Sequence, residues 1–214
     1  MSKVSIAALI AVLTVAACGG SSTGPQGPTT STVAVQSSDL PSGLVKCDLT
    51  GDIDSFIKKE KTPDPTASKT MANDWADAKK SGATAAYTAL YTDSTAHCEA
   101  IKGSTADLGA ATYKLVVNFV VQFKDEKSAA AGYKSDKAIF GFSASELRSG
   151  NGGVLEGSAT GLAPNSITLT QPLGNQFFYI AVWQNKAFMV ILAILNIDAP
   201  AAKKVATSEN SRIK

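Results

Sequence analysis

The sequence predicts an α+β fold in which a largely antiparallel sheet of about five to six strands carries helices on both faces. The main observation is that two strand-like segments are apolar without alternation. Residues 187–195 are continuously apolar, and 115–121 are interrupted only by Asn118. A strand with two apolar faces is covered on both sides. Several capped segments with helical spacing of apolar residues could provide that cover.

Four helices are predicted from a capping aspartate that is followed by apolar residues at helical spacing. The clearest starts at Asp64, has Pro65 at its first position, where the missing N–H is harmless, and ends before Gly82. The other three helices are predicted at 52–59, 125–141 and 200–212, and a short capped helical turn is predicted at 93–98.

Six strands are predicted from alternation or from runs of β-branched and aromatic residues, and they cover 83–91, 113–123, 154–157, 166–170, 176–183 and 187–197. The last two strands together are long enough to suggest a membrane span. However, Gln184, Asn185 and Lys186 stand near the centre of that span, where a lysine costs about 2.5–3.5 kcal/mol. A hairpin is therefore the better interpretation.

The first 35 residues differ in composition from the rest of the chain. Lys3 precedes an apolar run that is too short to span a bilayer, as in a secretory leader. The residues after Cys18 are mainly glycine, serine, threonine and proline, which cannot offset the entropy of ordering. The prediction is a leader at 1–17, a flexible tether at 18–35 and a single α+β domain at 36–214.

Val15, Ala16, Ala17 and Cys18 resemble the lipobox of bacterial lipoproteins, an aliphatic residue and two small residues before an invariant cysteine. Valine stands where that family more often has leucine. The resemblance implies that the leader is removed and that Cys18 carries diacylglycerol and acyl chains such as palmitate. Two or more acyl chains anchor a protein stably. The domain is then expected outside the cytoplasm, lipid-anchored to the cell membrane or the outer membrane. The alternative is an ordinary secretory leader with an unmodified cysteine.

If Cys18 is lipidated, Cys47 and Cys98 are the remaining cysteines of an exported chain. A disulfide between them is the economical prediction for an oxidising compartment, and two free thiols are the alternative.

The predicted order of layers also resembles PsbP-like domains and small actinobacterial envelope lipoproteins of the LpqN type. This resemblance concerns architecture, and no shared motif transfers a site residue.

Charge and residue usage exclude several classes of function. The chain has 20 basic and 18 acidic residues, and its only arginines are Arg148 and Arg212, so nucleic acid is not expected as a partner. One histidine, His97, and two paired cysteines cannot supply a typical zinc site. The acidic cluster that begins at Asp48 and includes Asp52 and Asp54 lacks the glycine and glutamate of a calcium loop. Neither a metal nor a cofactor is predicted.

Two hypotheses of function follow. The first is a non-catalytic envelope lipoprotein whose domain binds a protein partner or an apolar small molecule. Aromatic residues would line its pocket, although aromatics at such periodic positions more often belong to the core: Trp75, Tyr87, Tyr91, Phe177 and Trp183. The second is an envelope hydrolase that uses paired carboxylates, either Glu146 and Glu156 or the Asp48 cluster. It requires at least two carboxylates that converge in one cleft; solvated surface charges are the alternative.

Overall fold

The computed structural model describes residues 27–102, 111–173 and 176–214. The predicted leader, the first part of the predicted tether and the lipidation site Cys18 lie outside these residues. Their assignments therefore stay predictions.

The described chain alternates short helices with the strands of a single sheet. The helices are α1 (Thr30–Val33), α2 (Ile53–Glu60), α3 (Pro65–Lys80), α4 (Thr95–Ala100), α5 (Glu126–Lys134), α6 (Ala144–Arg148) and α7 (Ala199–Ser211). The strands are β1 (Val45–Lys46), β2 (Gly51–Asp52), β3 (Ala83–Thr92), β4 (Leu115–Phe123), β5 (Gly153–Glu156), β6 (Asn165–Leu173), β7 (Gln176–Asn185) and β8 (Phe188–Leu195).

These strands form one antiparallel sheet in the order β1-β3-β4-β8-β7-β6-β5, and β2 also pairs with β3. The α+β class with a largely antiparallel sheet is confirmed. The described sheet has two more strands than the six predicted, because β1 and β2 have two residues each and are too short to show alternation.

Helices cover both faces of the sheet, as predicted. One face, which we call the cavity face, packs against α2, α3, α5 and α6, and the opposite face packs against α1 and α7. Strand β4 shows why apolar and polar residues do not alternate along the inner strands. Its Phe119 and Val121 side chains lie in the core of the cavity face, whereas Val116 and Val120 lie in the core of the opposite face.

The folded domain begins before residue 36, where the predicted tether was expected to end. Residues Val33, Ala34 and Val35 are at most 1% exposed. The Val35 N–H donates to Asn118 Oδ1 at 3.0 Å, and the Tyr91 hydroxyl donates to the Val35 carbonyl at 3.0 Å. The prediction was wrong for this segment because three consecutive small apolar residues bury enough surface, with these hydrogen bonds, to order the chain.

The predicted helix 125–141 ends earlier, at Lys134. The backbone turns extended at Ser135, with ψ 139°, and this ends the helix. Farther along, Phe140 and Gly141 both have positive φ, 52° and 80°, in a tight turn where Ile139 pairs with Phe142. The short helix α6 follows, capped by the Ser143 side chain, within a stretch that has no helical apolar repeat of its own.

A disulfide joins Cys47 and Cys98, as predicted, and their Cα atoms lie 5.3 Å apart. It connects the segment between β1 and β2 to α4 on the cavity face, where both cysteines are 3% exposed. A bridge between residues this far apart in sequence contributes about 4 kcal/mol on the chain-entropy view.

Within the described residues, every helix is too short or too polar to cross a membrane.

Candidate ligand-binding site

The cavity face holds a cavity of about 420 Å³ between the sheet and helices α2 and α3. This volume lies within the range of small-molecule sites, roughly 300–1,000 Å³.

The floor of the cavity is a row of side chains across four neighbouring strands. Leu90, Val117, Ala193 and Ile180 are paired in register from β3 through β4 and β8 to β7. Ala193 stands between two larger residues, so that its small side chain leaves space above the sheet. Three of the four, Val117, Ile180 and Ala193, are only half-buried although they belong to inner strands. A second row continues the floor and consists of Leu115, Leu195 and Phe178.

The walls come from helices and from the turn after α5. Phe56 of α2 and Ala67 and Met71 of α3 form one side, and Phe140 and Phe142 form another. The Phe56 and Phe119 rings meet edge to face with their centroids 6.2 Å apart, and Phe119 and Phe140 lie 4.9 Å apart. This aromatic cluster forms part of the cavity lining.

Asp74 of α3 lies beside the turn that carries the two wall phenylalanines. Burial raises the pKa of Asp74, and the nearby backbone N–H groups of Phe140 and Gly141 oppose the increase. The positive φ of Phe140 is a strained conformation for a residue with a side chain.

Two carboxylates, Glu60 and Asp64, line the same cavity. Asp64 is the N-cap of α3 and accepts from the Ala67 N–H at 2.9 Å. Glu60 is only 5% exposed, and within the described part of the chain no residue donates a hydrogen bond to its carboxylate. Burial raises the pKa of Glu60, the Asp64 charge adds to the increase, and Lys102 opposes it.

The five aromatic residues proposed from sequence are not brought together. Trp75 lies in the core of the cavity face, whereas Tyr87, Tyr91, Phe177 and Trp183 pack on the opposite face, and none of the five lines the cavity. The reason is strand alternation, since neighbours in a strand point to opposite faces. Leu90 and Phe178 face the cavity, and the adjacent Tyr91 and Phe177 therefore face away.

The carboxylates named in the hydrolase hypothesis accept hydrogen bonds from other residues of the domain. Glu146 accepts from the Ser143 hydroxyl at 2.9 Å, and Glu156 accepts from Arg148 Nε at 3.1 Å. Asp52 caps α2, accepting from the Ser55 N–H at 2.9 Å. Asp48 accepts from Lys102 Nζ at 3.1 Å. Across the described ranges, no group of three or more histidine, cysteine or acidic residues is placed to hold a metal ion.

His97 lies on the surface of α4 and not in the cavity. Its Nδ1 atom pairs with Asp93, and its ring stacks on Tyr113 with the centroids 4.5 Å apart. The adjacent Cys98 is in the disulfide, so no thiolate is available beside this histidine.

No known protein family and no curated protein sequence matches the chain. Among solved structures, the chain is similar to the extracellular domain of PknH from Mycobacterium tuberculosis, with a TM-score of 0.38 and 15% identity. The match covers 61% of this chain and 66% of that one, just under two thirds of its length. At this level of similarity, no function is transferred.

Proposed function

We propose that this protein is a cell-envelope lipoprotein whose extracytoplasmic domain binds an apolar small molecule between the sheet and helices α2 and α3. The observation that carries the proposal is the cavity of about 420 Å³, whose described lining is apolar except for Glu60 and Asp64. Small-molecule sites typically combine such an apolar lining with a few polar groups that orient the ligand.

The composition of the cavity floor favours a functional space over a packing defect. Protein interiors are close-packed, and side chains that border a void lose contacts and stability. Ala193 keeps this space open between Val117 and Ile180, where a larger side chain could fill it. A ligand that enters the space recovers the lost contacts.

A small molecule fits the described surface better than a protein partner does. Protein-binding surfaces expose contiguous apolar patches. In the described parts of the chain, the exposed large hydrophobic residues are Val45 and Leu155, on the separate short strands β1 and β5. The main accessible apolar surface that we find is therefore concave.

The lipid anchor and the location are supported by the N-terminal sequence and by the disulfide. The segment before Cys18 resembles a lipobox, and disulfides persist in oxidising compartments outside the cytoplasm. A lipid on Cys18 would keep the domain at a membrane surface, where apolar molecules are concentrated.

Binding of a fluorescent apolar dye to a matched pair of variants tests the proposal. Ala67→Phe places a ring at the cavity wall, whereas Ala72→Phe makes the same change at an exposed position of the same helix. We expect saturable binding to the wild type and to Ala72→Phe, and weak or absent binding to Ala67→Phe. Native mass spectrometry of the purified protein should also detect a retained apolar molecule. Equal binding by all three proteins would reject this cavity as the site.

A further inference from the structure

We propose that the occupant of the cavity is a cationic amphiphile, an apolar chain or ring system that ends in a protonated amine held by Glu60 and Asp64. This inference rests on the proposed function, because it assumes that the cavity takes an apolar molecule. It adds the chemistry of the polar end.

The distribution of charge over the lining is the first argument. Eighteen described residues line the cavity, and Glu60 and Asp64 are the polar ones among them. Both come from the same short stretch of chain, at the end of α2 and at the cap of α3, so the negative charge is confined to one end of an apolar space. A molecule that fills this space would present its apolar part to the floor and its polar end to the two acids.

The unsatisfied carboxylate of Glu60 is the second argument. Buried polar groups are nearly always hydrogen-bonded, and a buried charge is normally paired. Glu60 is 95% buried and no hydrogen bond from a described residue reaches its carboxylate, whose oxygens are not fully enclosed and line the cavity. Asp64 accepts the Ala67 N–H through Oδ1, and no described residue donates to its second oxygen. The site therefore offers several acceptor positions to a donor that the described residues do not supply.

The third argument is that Lys102, the cation near Glu60, already forms hydrogen bonds with other carboxylates. The charges that act on Glu60 are those of Asp64, Lys102 and Asp48. Lys102 Nζ donates to Asp48 at 3.1 Å and to Glu99 at 2.8 Å, so its hydrogen bonds go to these surface carboxylates. The neighbourhood keeps an excess of negative charge that favours a cation over an anion.

The raised pKa of Glu60 agrees with this view. Burial and the like charge of Asp64 both disfavour the ionised form in the empty protein. An ammonium group, which is protonated at neutral pH, would oppose both effects and form charge-assisted hydrogen bonds.

Three ligands that share one alkyl chain and differ only at the head test the inference: dodecylamine, dodecanol and dodecanoate, each below its micelle-forming concentration. Displacement of the apolar dye measures their affinities for the full chain. We expect dodecylamine to bind about tenfold or more tightly than dodecanol, as one charge-assisted hydrogen bond would provide, and dodecanoate to bind most weakly.

The variants Glu60→Gln and Glu99→Gln test whether the preference for the amine depends on the cavity carboxylate itself or only on negative charge in its neighbourhood. Both remove one negative charge near Lys102, but Glu99 is an exposed residue outside the cavity lining. Glu60→Gln should lose the preference for the amine and keep its affinity for dodecanol, which also shows that the variant is folded. Glu99→Gln should keep the preference.

The outcomes distinguish the two proposals. Equal binding of amine and alcohol, or tighter binding of dodecanoate, would overturn the cationic ligand and leave the apolar site in place. An amine preference that survives in Glu60→Gln would also overturn it. If none of the three ligands displaced the dye from a site that Ala67→Phe blocks, the proposed function would fail as well.

Discussion

Asn118 of β4 and Glu209 of α7 are hydrogen-bonded to each other in the layer that covers the opposite face of the sheet. The Asn118 Nδ2 atom donates to Glu209 Oε1 at 2.9 Å, and both residues are 0% exposed. Asn118 Oδ1 also accepts the N–H of Val35. One asparagine thus joins the central sheet to the last helix and to the segment that leads toward Cys18.

Replacing Glu209 by glutamine should change the pH dependence of stability. Burial raises the pKa of Glu209 well above its ordinary value of 4.5, and the Asn118 hydrogen bond and the Arg212 charge only partly compensate. Its Oε2 atom has no partner among the described residues. Below the unfolded-state pKa the carboxyl is protonated in both states and carries no penalty. As pH rises toward the folded-state pKa, the unfolded state ionises first and stability is lost. Glu209→Gln should therefore be more stable than the wild type at pH 7.

Urea denaturation at a series of pH values checks this prediction. The stability difference between Glu209→Gln and the wild type should be large at pH 7 and should shrink as pH falls to about 4. Glu126→Gln, which changes an exposed glutamate of α5, is the control and should show a small difference at all pH values. A Glu209→Gln variant that is less stable than the wild type at neutral pH would contradict the prediction.

Filling the cavity floor should abolish ligand binding without lowering the stability of the fold. Ala193→Leu adds apolar volume to the open space, so we expect the free energy of unfolding to be unchanged or higher by up to about 2 kcal/mol, with dye binding lost. Ala181→Leu makes the same change in the fully packed opposite face and should destabilise by about 1–3 kcal/mol without removing the cavity. Thermal unfolding and dye titration of both variants provide the measurements. A severe loss of stability in Ala193→Leu would mean that no usable space exists there.

Removing the guanidinium of Arg212 should release the N-terminal segment from the domain. Arg212 donates to Asp39 Oδ1 through Nη1, to the Val33 carbonyl through Nε and to the Ala34 carbonyl through Nη2, which also lies 2.9 Å from Asp39 Oδ2. Arg212→Met should cost about 1.5–3 kcal/mol, since it removes charge-assisted bonds from a nearly buried carboxylate. Hydrogen exchange should show faster exchange of the Val35 amide than in the wild type.

Arg148→Met is the control for that prediction. The Arg148–Glu156 pair is exposed, so its loss should change stability by at most about 1 kcal/mol and should leave the Val35 amide protected. If the two arginine variants behaved alike, the N-terminal segment would not depend on Arg212.

Substitution of Cys18 should remove the lipid anchor and leave the fold of the domain unchanged. In a bacterium that processes lipoproteins, Cys18→Ala should lose the acyl mass and leave the membrane fraction, while the domain keeps its unfolding temperature. The double variant Cys47→Ala/Cys98→Ala should stay in the membrane fraction and lose about 2–4 kcal/mol of stability. A Cys18→Ala protein that remains bound to the membrane would disprove the anchor.

Local signals predicted much of the fold. The aspartates at 52, 64, 125 and 198 cap helices as expected, because a capping carboxylate acts on backbone N–H groups of the next few residues. The predicted hairpin forms, although its turn consists of Lys186 and Ala187 because Gln184 and Asn185 still pair within the sheet, and Cys47 meets Cys98. The end of α5 was missed, because the chain becomes extended at Ser135, where the local sequence has neither a glycine nor a proline to mark the end of a helix.

The binding site was the least predictable part. Aromatic residues were a reasonable guide, but a one-residue difference in a strand decides which face a side chain joins, as Tyr91 and Leu90 show. A search for small residues within the inner strands would have returned Ala193, but also Ala89 and Ala181, which pack in the opposite face.

The sequence by itself determined the α+β class, the starts of the aspartate-capped helices, the disulfide pair and the presence of helices on both faces, because these depend on local capping, apolar periodicity and a count of cysteines. Only the tertiary structure decided that Val33 to Val35 belong to the domain and that Glu60 and Asp64 line an apolar cavity with Ala193. Those relationships join residues far apart in the chain, and they follow from strand register and from how completely the helices cover the sheet.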